Sequence, residues 1–167
     1  TLQAGCHPML TPAREFWHLM FLDELWSRAS YPLDTWDLTK PRQVEVIKGA
    51  CLLLRSEALD EVGLLDERYH MYTEEVDLCY RLDQAGWQLW YVPAAVVTHF
   101  GGASSSQNAE KMYLELYRSK IQFYRKFGGA RRARAFKIMV AIAYLPRTVL
   151  RPRNRTYRRL LADLRAM

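Results

Sequence analysis

Apolar and polar positions change rhythm several times along the chain. Phe16, Trp17, Met20, Phe21, Leu22 and Leu25 recur at three- and four-residue steps, the spacing of one helix face. Thr11-Pro12 ahead of them reads as a helix start, because proline at the first helical position gives up only an N–H that has no partner there. The stripe reads as packing against a core, with a membrane or acceptor contact as its other use. Tyr31 to Arg42 carries two prolines and alternating charge and reads as loop. Val44 to Arg55, VEVIKGACLLLR, is short, β-rich and almost wholly apolar after Gly49, which predicts a buried strand. Ser56 reads as the cap of a short helix, SEALDEV, that ends at Gly63. Thr73 caps the next, running to about Ala85 with Gly86 closing it. Leu89 to Val92 and Ala95 to Thr98 are strand-like and divided by Pro93. From Ser106 to Phe127 a long amphipathic helix is expected, ended by Gly128-Gly129. A second runs from Ala133 to Tyr144 and stops near Pro146, and a basic helix follows Pro152. No internal repeat is present. The pattern divides into an irregular and helical lead-in (1–43), an α/β part (44–105) and a helical tail (106–167).

Composition adds a core and a charge boundary. Half of the 167 residues are apolar and 13% aromatic, which suits a packed domain and excludes a disordered chain. Cys6, Cys51 and Cys79 have neither metal-site nor disulfide-framework spacing, so they read as reduced, packed thiols of a cytosolic protein. The chain starts at Thr1 without a signal peptide, which suits a piece of a longer chain. The net charge of +6 is an average over two unlike parts. Residues 1–110 hold 8 Lys/Arg and 16 Asp/Glu, a net of −8; residues 111–167 hold 16 and 2, a net of +14. An acidic front is joined to a strongly basic tail.

Candidate chemistry concentrates between Gly63 and Gly102. Thr73-Glu74-Glu75-Val76-Asp77 has a structural reading, since Thr is a good N-cap and acids in a first turn complement the helix dipole. Asp77 can also pair with Arg81 one turn on. In the functional reading, one of these carboxylates accepts a proton from a hydroxyl nucleophile. His99 reads either as an ordinary surface or core histidine or as a ligand of a divalent metal or a phosphate. Gly101 and Gly102 behind it would admit a bulky ligand to the backbone. Gly49-Ala50 inside the expected strand marks either close approach of a ligand or tight packing.

These motifs, in this order, carry a resemblance. VIKGACLLLRSEALDEVGLLDERYHMYTEEVDLCYRLDQAGWQLWYVPAAVVTHFGG resembles the C-terminal half of the catalytic domain of bacterial family-2 glycosyltransferases, in the rhamnosyltransferase-like branch, over roughly residues 42–128. The resemblance implies the acceptor-side part of a GT-A fold and an inverting transfer of a sugar, possibly rhamnose, from a nucleotide-sugar to a lipid-linked or polysaccharide acceptor. It places the catalytic base at Glu75 with Glu74 beside it, where the family more often has Asp at the second position. It places His99 near a metal-bound diphosphate, with Gly49, Ala50, Asp77, Gly101 and Gly102 around the donor and acceptor pocket. Asp66 matches an acid of a family turn and reads as structural. Mg²⁺ or Mn²⁺ is implied, with ligands largely from an N-terminal nucleotide-binding half. No Gly-rich phosphate loop and no well-placed D-x-D occurs before residue 44. A catalytically inactive membrane-docking or partner-binding module is the alternative.

The tail brackets Ile138 to Leu145 with Arg131, Arg132, Arg134 and Lys137 before it and Arg147, Arg151 and Arg153 after it. The apolar run is too short to span a bilayer but suits a helix lying on an anionic membrane. Nucleic-acid binding is the rival use of so much arginine, although no nucleic-acid motif accompanies it. A solvated helix face is the plain alternative. The resemblance implies work at the cytoplasmic face of the plasma membrane, on lipid-linked acceptors.

Overall fold

A computed structural model describes residues 3–22, 36–37, 39–100 and 108–167. The chain forms two compact units, Thr1–Arg68 with Glu74–Gly101, and Tyr69–Thr73 with Gly102–Met167.

The first unit mixes helix and strand. Its described elements are β1 (Cys6–His7), α1 (Pro12–Leu19), β2 (Arg42–Val44), β3 (Val46–Ile47), α2 (Ser56–Val62), α3 (Glu74–Gln84) and β4 (Leu89–Tyr91). β1 pairs antiparallel with β3, Cys6 opposite Ile47, and β2 pairs antiparallel with β4, Val44 opposite Leu89. Helix α1 starts where the sequence predicts: the Thr11 side chain accepts from the Arg14 N–H, and Pro12 opens the helix. The buried apolar residue of α1 is Leu19, which the expected stripe does not include; Phe16 and Phe21 of the stripe are exposed and Trp17, Met20 and Leu22 only partly covered, while Leu25 lies outside the described residues. Glu45, between β2 and β3, accepts from the Met9 N–H at 2.9 Å and pairs with both guanidinium nitrogens of Arg14. That fork-to-fork contact ties α1 to the strands.

The expected strand from Val44 to Arg55 is much shorter. The ladder ends because its partner ends: the Lys48 N–H bonds Gly5 O at 2.9 Å, and the Cys51 N–H turns back to Lys48 O. Gly49 and Ala50 therefore lie in an exposed turn rather than inside a strand, and Leu53 is 97% exposed. Apolar composition allows a strand, but a strand also needs a neighbour to take its N–H and C=O groups. Ala95 to Thr98 likewise forms no ladder with any described residue.

Helix α2 takes Arg55 rather than Ser56 as its N-cap, with no side-chain cap bond, and closes at Gly63, whose φ of +81° suits glycine. Helix α3 buries Val76, Leu78, Cys79 and Leu82. Gly86, at φ +86°, ends it, with the Trp87 N–H returning to Leu82 O. The Trp87 indole donates to Glu61 of α2 at 2.8 Å.

In the second unit, Tyr72 and Thr73 both have positive φ, +67° and +71°. Thr73 therefore lacks the extended backbone of an ordinary N-cap, and two such residues in a row store strain of about 1–3 kcal/mol each. Helix α4 (Ala109–Leu150) starts at Asn108, whose side chain accepts from the Lys111 N–H. It breaks at Gly129 (φ 69°, ψ −177°), a conformation in effect reserved for glycine, as the Gly128-Gly129 pair predicts. The second arm runs past Pro146 to Leu150, one turn beyond the expected stop. Its inner face is still engaged there: the Arg147 guanidinium lies over the Tyr144 ring at 4.9 Å and donates to Ala143 O. After a turn, α5 (Arg155–Asp163) is capped by Asn154 and packs back on α4. Tyr113, Tyr117, Tyr144 and Tyr157 meet between them. The hydroxyl of Tyr144 bonds those of Tyr117, at 2.7 Å, and Tyr113. Burial pushes the Tyr113 and Tyr117 hydroxyls up, so both stay neutral donors.

Candidate active site

Cys79 and Glu75 sit four residues apart on α3 and so share one face of it. The Cys79 thiol points to Ile47 O of β3 at 3.9 Å, which holds that face against the strand. Burial pushes the thiol up to about 11, so it packs and does not react. Two residues beyond Ile47 the chain turns at Gly49, and a Cβ placed there would lie 3.9 Å from the Glu75 Cβ. The structure thus brings Gly49 and Glu75 together from 26 positions apart. A methyl at 49 would meet the base of the Glu75 side chain at ordinary van der Waals distance, so this exposed turn borders Glu75.

Glu74 and Glu75 open α3, and the Oε2 atom of each is enclosed. Glu74 Oε2 has no hydrogen-bond partner among the described residues. Burial raises the Glu74 carboxyl above the ordinary glutamate range, its own backbone N–H partly offsets this, and the Glu75 charge adds to it. Two adjacent carboxylates in unlike settings can divide the roles of proton acceptor and neutral neighbour.

Asp77 is 0% exposed and accepts from Arg81 Nε at 2.7 Å. The rest of that guanidinium donates to Val62 O, to Gly63 O at 3.2 Å and to Leu64 O at 2.7 Å. Arg81 therefore closes the carbonyl end of α2 while pairing with α3, and Asp77 serves the scaffold through it. The sequence offers the Asp77–Arg81 spacing; the three carbonyls, 17 to 19 residues away, have no local signature. Asp66 binds Arg68 Nη2 at 2.6 Å and its backbone N–H, which agrees with a structural acid in a turn.

His99 is exposed and bracketed by Gln3: the Gln3 amide N–H donates to His99 O at 3.1 Å, and Gln3 Oε1 lies 3.1 Å from Nδ1. The backbone carbonyl settles which end of the amide is nitrogen, so Oε1 faces the ring and Nδ1 carries a proton toward it. Gln3, 96 residues away, could not be found from sequence. Gly101 and Gly102 lie outside the described residues.

Among the described residues no three His, Cys, Asp or Glu side chains converge as a metal site. Mg²⁺ and Mn²⁺ favour several oxygen ligands, and one imidazole nitrogen does not supply them. The described residues do not fit a divalent metal by themselves.

A model of the family described as "Glycosyltransferase like family 2" matches residues 28–117, 90 of the 167. The N-acetylglucosaminyl-diphospho-decaprenol L-rhamnosyltransferase of Mycobacterium tuberculosis is 48% identical over 67 residues, 40% of this chain and 22% of that protein. The pre-mycofactocin glycosyltransferase of the same organism is 45% identical over 56 residues, 34% of this chain and 12% of that one. Rhamnosyltransferase WbbL of Escherichia coli is 40% identical over 57 residues, 34% of this chain and 22% of that one. The matched stretch is thus about a fifth or less of the length of these relatives. No solved structure matches.

Proposed function

The chain belongs to the glycosyltransferase-like family 2, and from that premise we propose that it forms the acceptor-side part of a GT-A enzyme that transfers a sugar with inversion. The donor is a nucleotide-sugar, with rhamnose favoured by the names of two relatives. The acceptor is a hydroxyl of a lipid-linked glycan in cell-surface polysaccharide synthesis. The observation that carries the reading is Gly49 against Glu75: a helix-start carboxylate beside a residue without a side chain, where an acceptor has room to approach.

Glu75 is the base in this reading. As the acceptor oxygen attacks the anomeric carbon from the face opposite the diphosphate, its proton passes to the Glu75 carboxylate. The bond from the anomeric carbon to the diphosphate breaks, and the nucleoside diphosphate departs with the electron pair. Glu74, whose carboxyl burial raises, hydrogen-bonds the acceptor or Glu75 in this reading. His99 lies near the departing diphosphate in this reading, where a proton on Nε2 would let the ring donate to a phosphate oxygen. Mg²⁺ or Mn²⁺, together with most nucleotide contacts, would depend on groups outside the described residues, and no step is assigned to a metal on this chain. The separate chain is accordingly proposed to be inactive.

In the intact enzyme, Glu75→Gln should lower turnover by about 10²–10⁴-fold, the range of a lost general base, with donor binding unchanged. Near-normal turnover would remove Glu75 from the role, and the same loss in Glu74→Gln alone would transfer it to Glu74.

A further inference from the structure

The second arm of α4 has two apolar faces, and one of them is left uncovered by the described residues. Phe136, Val140, Ala143 and Tyr144 are buried. Ile138, Ile142, Leu145 and Val149 are all more than half exposed, Val149 at 74%. At 3.6 residues per turn these four fall within about 60° of one another and opposite the buried set, in a row roughly 16 Å long. Arg131 and Arg134, also exposed, continue the same sector one to two turns earlier. Leu150, 80% exposed, and the exposed Arg151 and Arg153 close the other end.

We propose that this row is a docking surface for an anionic lipid bilayer, on which the arm lies in the plane of the interface. A single convex helix face matches a planar apolar boundary. The cations at both ends of the row are placed to reach lipid phosphates while the aliphatic side chains enter the acyl region. No helix of the described residues is long and apolar enough to cross a membrane, so the surface lies on the bilayer and does not span it. A second copy of the chain fits poorly, because pairing two such faces brings together two tails that each carry +14. Nucleic acid would use the arginines but leaves the aliphatic row in water, where aromatic stacking platforms would be needed instead. The inference rests on the exposure and charge of this arm and not on the transfer chemistry, so it can be tested without measuring turnover.

The test is flotation of the full chain with vesicles of equimolar phosphatidylglycerol and phosphatidylcholine, beside vesicles of phosphatidylcholine alone. The chain should float with the first and much less with the second, and binding should fall with added salt. The double variant Ile142→Glu with Leu145→Glu should lower partitioning by about a hundredfold, and Arg131→Gln with Arg134→Gln by about tenfold. All four sites are exposed, so circular dichroism and Tm should match the parent. Unchanged flotation of both variants would overturn the proposal. So would equal binding to neutral vesicles, salt-sensitive binding to RNA without flotation, or a dimer that the Glu variant dissolves.

Discussion

Glu74 stands beside Glu75 at the start of α3, and the burial of its carboxyl is measurable. Burial holds the Glu74 carboxyl above its ordinary range, so between the unfolded and folded values the native state binds more protons. Stability from this group therefore falls as pH rises through that window, and the cost is fully present above it. Glu74→Gln should remove the slope. Solvent screening of a partly exposed group keeps the effect under about 1 kcal/mol, so Tm should rise by about 2 °C at pH 7.5 and not differ below pH 4. Equal Tm differences across that range would mean that the carboxyl is not desolvated. The sequence named both glutamates and could not separate them, because adjacent identical residues at a helix start have the same propensity and the same dipole. Gly49 reads in the sequence as a mark of close ligand approach or tight packing inside a strand, and the structure places it in a turn instead. Its turn and its approach to Glu75 are tertiary facts.

At the scale of elements, Arg81 is the joint between α2 and α3. Its guanidinium satisfies a fully buried carboxylate and three carbonyls at once. Arg81→Met should leave Asp77 charged and buried and cost about 3–5 kcal/mol, a fall in Tm of roughly 10 °C or more. Adding Asp77→Asn should recover part of the loss; calorimetry showing the single and double variants equal would sink the assignment. Helices were legible where capping and glycine chemistry are local, as at Thr11-Pro12, Gly63, Gly86 and Gly129. Strands were not. Val44 to Arg55 contains the residues of a longer strand, yet the backbone bonding to the β1 segment ends at Lys48, after which the chain turns at Gly49. The helix past Pro146 was likewise missed, since the contacts of Arg147 and Tyr144 outweigh a local stop signal.

For the whole molecule, the charge boundary near residue 110 almost coincides with the entry into the helical part of the second unit at Gly102. The reading of a donor half supplied from elsewhere predicts that the 167-residue chain binds no nucleotide-sugar with useful affinity. Calorimetric titration should show no saturation at millimolar donor, and micromolar binding would contradict that reading. The amino-acid sequence by itself determined the family, the acid pair at a helix start, the helix boundaries at Thr11-Pro12, Gly63, Gly86 and Gly129, and the split between acidic front and basic tail. All of these depend on residue type and short spacing, which a linear chain displays directly. Only the tertiary structure decided that Gly49 faces Glu75, that Arg81 also takes the carbonyls at the end of α2, that Gln3 orients His99, and that one face of α4 stays apolar and exposed. Each of these depends on what another part of the chain leaves covered or uncovered, and partners 17 to 96 residues apart carry no mark of each other until the backbone has folded.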